Sequence, residues 1–202
     1  MASSIKVEDR RKAASALGSS FALLPYKDQG WQVLLNLTQD QDRYVRWGAA
    51  EVLGSSFALL SDKDQGWKDL LRLTQDQDSD VRFGAARALG SSFALLPDKD
   101  QGWKDLLRLT QDQNSDVRWG AARALGSSFA LLPDKDQGWQ VLLRLTQDQD
   151  RDVRGRASSA LGPSFAHLPD KDRGWSDLLR LTQDQDSDVR KGAARALGSS
   201  FV

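Results

Sequence analysis

The sequence predicts an all-α fold, an α-solenoid of two-helix repeats, on three observations. Trp31, Trp67, Trp103, Trp139 and Trp175 recur at steps of 36 residues. Gly18, Gly54, Gly90, Gly126, Gly162 and Gly198 keep the same step. Aligned from Asp64 and from Asp100, the two central units differ at two positions, Asp78 against Asn114 and Phe83 against Trp119. Such a constant translation marks stacked supersecondary units, none of which buries its apolar faces alone. The repeats fall at 28–63, 64–99, 100–135, 136–171 and 172–202. A partial repeat over 1–27, beginning in earnest at Ile5, precedes them as a cap, and all are expected to form one solenoid domain.

Each repeat reads as two helices. In the one that opens near Asp98, that residue is an N-cap, with Gln101 three positions on in the place of a capping box. Trp103, Leu106, Leu107 and Thr110 follow at i, i+3, i+4 and i+7, one stripe of a first helix. The polar run Gln111 to Ser115 breaks the stripe, and Asn114 caps a second helix, as Asp42, Asp78, Asp150 and Asp186 do elsewhere. On that helix Val117, Ala121, Ala124, Leu125, Ser128 and Leu132 share a face, and Pro133 ends it for want of an N–H. Gly126 sits inside this pattern, where glycine costs about 1 kcal/mol relative to Ala. Its return in every repeat predicts close backbone contact or a bend. With helix axes roughly 8–10 Å apart, the stack makes a curved rod of about 50 Å.

The second-helix motif Asp-x-Asp-Ser-Asp-Val-Arg-x-x-Ala-Ala-x-Ala-Leu-Gly, from Asp76 to Gly90, resembles the HEAT-like repeats, in particular the short type named after phycobilisome lyases. The resemblance recurs along nearly the whole chain and implies a right-handed α-α superhelix. In that family an Asp and an Arg six residues apart build a hydrogen-bonded ladder between repeats. The matching pairs here are Asp40 with Arg46, Asp76 with Arg82, Asp112 with Arg118, Asp148 with Arg154 and Asp184 with Arg190, so these arginines are expected to be internal staples. The present repeat is longer than the usual short unit. The extra residues, around Ser91 to Asp98, are expected to lengthen the second helix. Asp9 stands where later repeats have Val, as suits a solvated N-terminal cap.

Composition excludes several classes of function. Lys and Arg total 28, Asp and Glu also 28, so net charge is zero, without the basic excess usual in proteins that grip phosphate backbones. There is no cysteine, hence no disulfide, thiolate metal site or Cys nucleophile. Apolar runs stop at pieces such as Phe93 to Leu96, and Met1 to Glu8 carries no secretory core, so the cytoplasm is the expected location. The single histidine, His167, occupies a column of leucines (Leu59, Leu95, Leu131) and has no companion ligand. Ser158, Ser159 and Ser164 near it belong to columns of small residues, not to a triad. The acidic run Asp76 to Asp80 lacks the central Gly and distant Glu of a calcium loop, and helix capping accounts for it. No catalytic residue, metal site or cofactor is expected.

The columns that vary between near-identical repeats point to function. After the Val-Arg pair stand Trp47, Phe83, Trp119, Gly155 and Lys191, and four residues later Glu51, Arg87, Arg123, Ser159 and Arg195. The tryptophan column at the head of each first helix opens an apolar stripe and is read as core. By the resemblance, the variable columns line the concave side. Trp47, Phe83 and Trp119, with Arg87 and Arg123 one turn away, are then the expected partner-binding residues, since interfaces enrich aromatics and arginine. The expected function is a non-enzymatic scaffold for a peptide or protein. One alternative is a nucleic-acid-binding HEAT-like array using Arg87, Arg123, Arg156, Lys191 and Arg195, disfavoured by Asp80, Asp116, Asp152 and Asp188 on the same helices. Others are an accessory or sensor region of a larger enzyme or ATPase, and an engineered array. Trp175, Leu178, Leu179, Val189, Ala193 and Leu197, with the end at Phe201-Val202, predict an uncapped apolar face and a homodimer through it.

Overall fold

The computed structural model describes residues 6–199 and contains, among them, eleven α-helices and no strand. Ile5 and the Phe201-Val202 end lie outside the described residues. The helices pair within repeats, so the fold is an α-solenoid of paired helices. The chain divides into two compact units, one reaching Pro97 and the other starting at Asp98.

The first unit holds α1 (Val7–Ser20), α2 (Lys27–Leu37), α3 (Arg43–Ser56), α4 (Lys63–Leu73) and α5 (Ser79–Ser92). Here α3 packs between α1 and α5, while α2 lies against α3 and α4 against α5. The second unit holds α6 (Lys99–Leu109), α7 (Ser115–Ser128), α8 (Lys135–Leu145), α9 (Arg151–Phe165), α10 (Lys171–Leu181) and α11 (Ser187–Ser199). In it α9 packs between α7 and α11, with α8 on α9 and α10 on α11.

The caps are where the residues place them. Asp62, Asp98 and Asp134 accept from the backbone N–H three residues on, opening α4, α6 and α8. Asp42, Asn114 and Asp150 cap the second helices by accepting from the N–H groups two and three residues on, and Asp78 from that of Asp80. Each cap satisfies a helix N–H that would otherwise lack a partner, at about 1 kcal/mol apiece.

The tryptophan column is core. Trp31, Trp67, Trp103 and Trp139 are buried, and Trp175 is half-buried. Trp31 meets Phe57 edge-on with centroids 6.4 Å apart, and Trp67 meets Phe93 likewise at 6.3 Å. The indole N–H groups are satisfied across repeats: Trp31 Nε1 donates to Asp69 at 2.9 Å and Trp139 Nε1 to Asp177 at 3.0 Å. A buried indole needs such an acceptor.

The glycine column marks close approach, not a bend. A Cβ on Gly54 would stand 2.5 Å from the Ala88 Cβ, and one on Gly126 2.6 Å from the Ala160 Cβ. Neither glycine has a positive φ. The facing second helices are therefore as near as backbones with alanine between them allow.

The extra residues of the long repeat do not lengthen the second α-helix, contrary to expectation. In α1, α3, α5 and α7 the α-helix stops at Ser20, Ser56, Ser92 and Ser128 and tightens into 3-10 turns at Phe21–Leu23, Phe57–Leu59, Phe93–Leu95 and Phe129–Leu131. The turn drops each phenylalanine into the core, where Phe57, Phe93 and Phe129 are buried, and leaves Leu59, Leu95 and Leu131 exposed. The earlier end leaves Leu132 in extended backbone, off the helical face assigned to it. Among the described residues only α9 runs on to its phenylalanine, Phe165.

Candidate functional site

The second helices are held in register by arginine staples. Arg46 Nη1 donates to the carbonyls of Asp40 and Gln41 in its own repeat, at 2.9 and 3.2 Å, and its Nε reaches Asp76 of the next at 3.1 Å. Arg118 repeats the pattern: Nη1 binds the carbonyls of Asp112 and Gln113, while Nε and Nη2 each lie 2.8 Å from Asp148. The pairs six residues apart thus meet through the backbone carbonyl of the Asp, and the carboxylate contact goes one repeat further. Arg154 departs slightly, taking Asp186 at 2.6 Å. Arg10 supplies a rung of the same kind, gripping Asp40 at 2.5 Å and 3.0 Å. Its place one repeat before Arg46 was the available signal, masked by Asp9 in the neighbouring valine column.

These contacts set the carboxylate acidities. The hydrogen bond from Arg10 holds Asp40 below the ordinary range despite partial burial. Burial pushes Asp148 up, but the bonds from Arg118 and the Asp150 N–H outweigh it and leave the group below its usual value. Asp186 is lowered by the Asp188 N–H and by Arg154. In the acidic run, Asp76 takes Arg46 and the Asp78 N–H, and Asp78 caps α5. The carboxylates of Asp76 and Asp78 are thus committed to the scaffold. Among the described residues no cluster of His, Cys, Asp or Glu suits a metal ion.

The expected partner-binding residues fall into two groups, one in each unit. In the first unit Trp47 is 42% exposed, and it lies near Gly84 on α5, whose Cβ would be 3.7 Å from the Trp47 Cδ1. Phe83 and Arg87 are half-buried on α5. Arg87 is ion-paired with Glu51, the residue one repeat before it in the same column. That pairing was readable from the column, where Glu51 alone is acidic.

In the second unit Trp119 is half-buried on α7, and two guanidinium groups stand over its ring. The carbon of Arg156 is 4.6 Å from the ring centroid and that of Arg123 5.9 Å. Where α5 gives Trp47 a glycine to lie on, α9 gives Trp119 the side chain of Arg156. Cation–π contact of this kind is worth about 0.5–2 kcal/mol, more as water is excluded. His167 is exposed just past the end of α9.

The apolar end face is smaller than the sequence pattern implies. Leu178, Val189 and Ala193 are completely buried within the second unit, consumed by the packing of α10 and α11 and of α11 on α9. Trp175 and Leu197 are half-buried, and only Leu179, at 48%, is largely exposed.

Paired helices, buried aromatic columns and arginine staples define a tandem-repeat scaffold. The HEAT repeats match the chain over residues 31–101, 68–162 and 140–200, and the chain belongs to that family. No curated protein sequence matches it. Among solved structures, an engineered protein, the structural genomics target OR329, is similar at 27% identity over 95% of this chain and 87% of its own, with a TM-score of 0.60. A designed armadillo repeat protein in complex with the peptide (KR)4 is 17% identical over 95% of this chain and 90% of its own, at a TM-score of 0.61. The archaeal HEAT-like repeats protein from Thermococcus onnurineus NA1 is 15% identical, covering 98% of this chain and 82% of its own, at 0.56. The last two likenesses concern the fold. Among the described residues no helix is long and apolar enough to cross a membrane.

Proposed function

We propose that this chain is a non-enzymatic scaffold that presents the variable face of its second helices to a peptide or protein partner. One observation carries the reading. Four of the five repeat-head tryptophans are buried and the fifth, Trp175, is half-buried, whereas Trp47 stands 42% exposed at a column that varies between near-copies. A large aromatic kept at the surface, flanked by charged groups, is what partner-binding faces enrich. The designed armadillo protein that holds (KR)4 gives a precedent for peptide capture on a comparable fold. A peptide or protein surface, and no nucleic acid, is the partner proposed, since Arg87 is already neutralised by Glu51.

The test is a peptide-display selection against the full chain, followed by a triple variant with Trp47, Phe83 and Trp119 changed to Ser. Enriched peptides should lose about tenfold or more in affinity for the variant, about 1.4 kcal/mol, with helical circular dichroism retained. Selection of no sequence above background, or equal affinity for the variant, overturns the reading.

A further inference from the structure

We propose that the cleft between α7 and α9 is a binding site for a phosphate-type oxyanion. The repeat that contributes α9 departs from its near-copies at a few positions, and four departures converge there. Arg156 replaces the glycine of Gly48, Gly84, Gly120 and Gly192. Ser159 replaces an Arg or Glu, Pro163 replaces the serine of Ser55, Ser91 and Ser127, and His167 replaces an exposed leucine. All four line one cleft of about 360 Å³, with Arg123 and Ser127 facing them from α7. That is within the range of small-ligand pockets, roughly 300–1,000 Å³.

The electrostatics ask for an anion. No acidic residue lines the cleft. Arg87 has Glu51, but within its own unit the column offers Arg123 only Ser159. Among the described residues neither Arg123 nor Arg156 is ion-paired, and both stand over the same indole within 6 Å of its centroid. The Nε of Arg156 is buried and donates to no acceptor. A buried charged donor without an acceptor is costly and calls for one. Burial and the neighbouring charge of Arg123 draw the Arg156 pKa below its ordinary value, and the negative charge of a bound anion would oppose that shift. Two guanidinium groups suit a tetrahedral dianion, which neutralises both charges and accepts from several N–H donors at once. The hydroxyls of Ser127 and Ser159 donate to the Ala124 and Gly155 carbonyls of their own helices and would have to turn to join them. Such a site stands whether or not the variable face also holds a peptide.

The experiment titrates the full chain with inorganic phosphate at constant ionic strength, reading affinity by calorimetry and arginine Nε–H signals by NMR. Saturable shifts are expected at Arg123 and Arg156 and none at the staples Arg46 and Arg118. Arg156→Gly restores the residue of the other repeats, so it should fold, and it should weaken phosphate about tenfold or more. Arg123→Gln provides the second, independent loss. A phosphoserine peptide that binds tighter than free phosphate identifies a phosphorylated chain as the source; equal affinity identifies the free anion, and both uphold the site. Phosphate that shifts all exposed arginines alike, saturates nothing, or binds both variants as well as the parent overturns it.

Discussion

Arg118 and Asp148 meet as a fork, each of two guanidinium nitrogens 2.8 Å from a different carboxylate oxygen. Both side chains are nine-tenths buried, so the pair works in low dielectric and neither partner is replaceable by a point charge. Arg118→Ala strands a buried carboxylate and should lower stability by about 3 kcal/mol or more. Arg118→Lys keeps the charge but loses the second bond and the carbonyl contacts, and about 2 kcal/mol is expected. Urea unfolding followed by circular dichroism measures both, and a loss for Lys equal to that for Ala would deny the fork its role.

The acid limb of stability follows from the same contacts. Asp40, Asp148 and Asp186 sit below their ordinary range when folded. As pH falls, the unfolded chain therefore takes up protons first, which favours unfolding. The staples contribute fully above the ordinary Asp value of about 3.9 and are lost as pH drops below it through the native values. Melting temperature should be level from neutrality to about pH 5 and fall below about pH 4. Asp148→Asn should lower the plateau and flatten that fall.

Two glycines of one column should respond in opposite senses. A Cβ at Gly126 meets Ala160 at 2.6 Å and its Cα at 3.1 Å, while one at Gly198 meets nothing within 4 Å. Gly126→Ala should cost about 1–3 kcal/mol through overpacking. Gly198→Ala should be neutral or stabilise by up to about 1 kcal/mol. Thermal melts of the two variants side by side check the contrast.

Tryptophans at the two kinds of column should also separate. Trp31→Phe removes the donor to Asp69, which is 3% exposed, and about 1–3 kcal/mol should be lost. Trp47→Ser should stay within about 0.5 kcal/mol, as surface changes do. A large loss at Trp47 would make it a scaffold residue.

At the last repeat, Leu178→Lys buries a charge where no solvent reaches, and should unfold α10 and α11. Leu179→Lys should leave the fold intact, because that side chain is already half in water. Comparing the parent with Leu179→Lys by sedimentation over a wide concentration range then reads any self-association through this surface.

Caps, core tryptophans and close glycines were legible in the residues because each is decided by contacts within one repeat or its exact copy. The 3-10 turns were not. Phe93 and Leu96 are three apart, a spacing that suits a continuing α-helix as well as a tightened turn, and Pro97 arrives too late to separate them. Of the aromatics in the variable column Trp47 is exposed, while Phe83 and Trp119 are half-buried, and their partners were hidden. Whether a guanidinium meets Glu51, an indole or nothing depends on the neighbouring repeat's residue at that column. Arg156 was visible as a basic residue, yet its contact with Trp119 emerges only once α7 and α9 lie side by side.

The staples have a consequence for how the chain acquires its structure. Arg10 with Asp40, Arg46 with Asp76 and Arg118 with Asp148 each join residues 30 apart in sequence. No such contact waits for a distant segment, so each loop closes at the same modest entropic cost as the one before it. Short-range contacts of this sort favour fast folding, and they let it start at any repeat and spread. On the ribosome, a repeat could lock onto its predecessor as soon as about thirty further residues had emerged, long before synthesis ended.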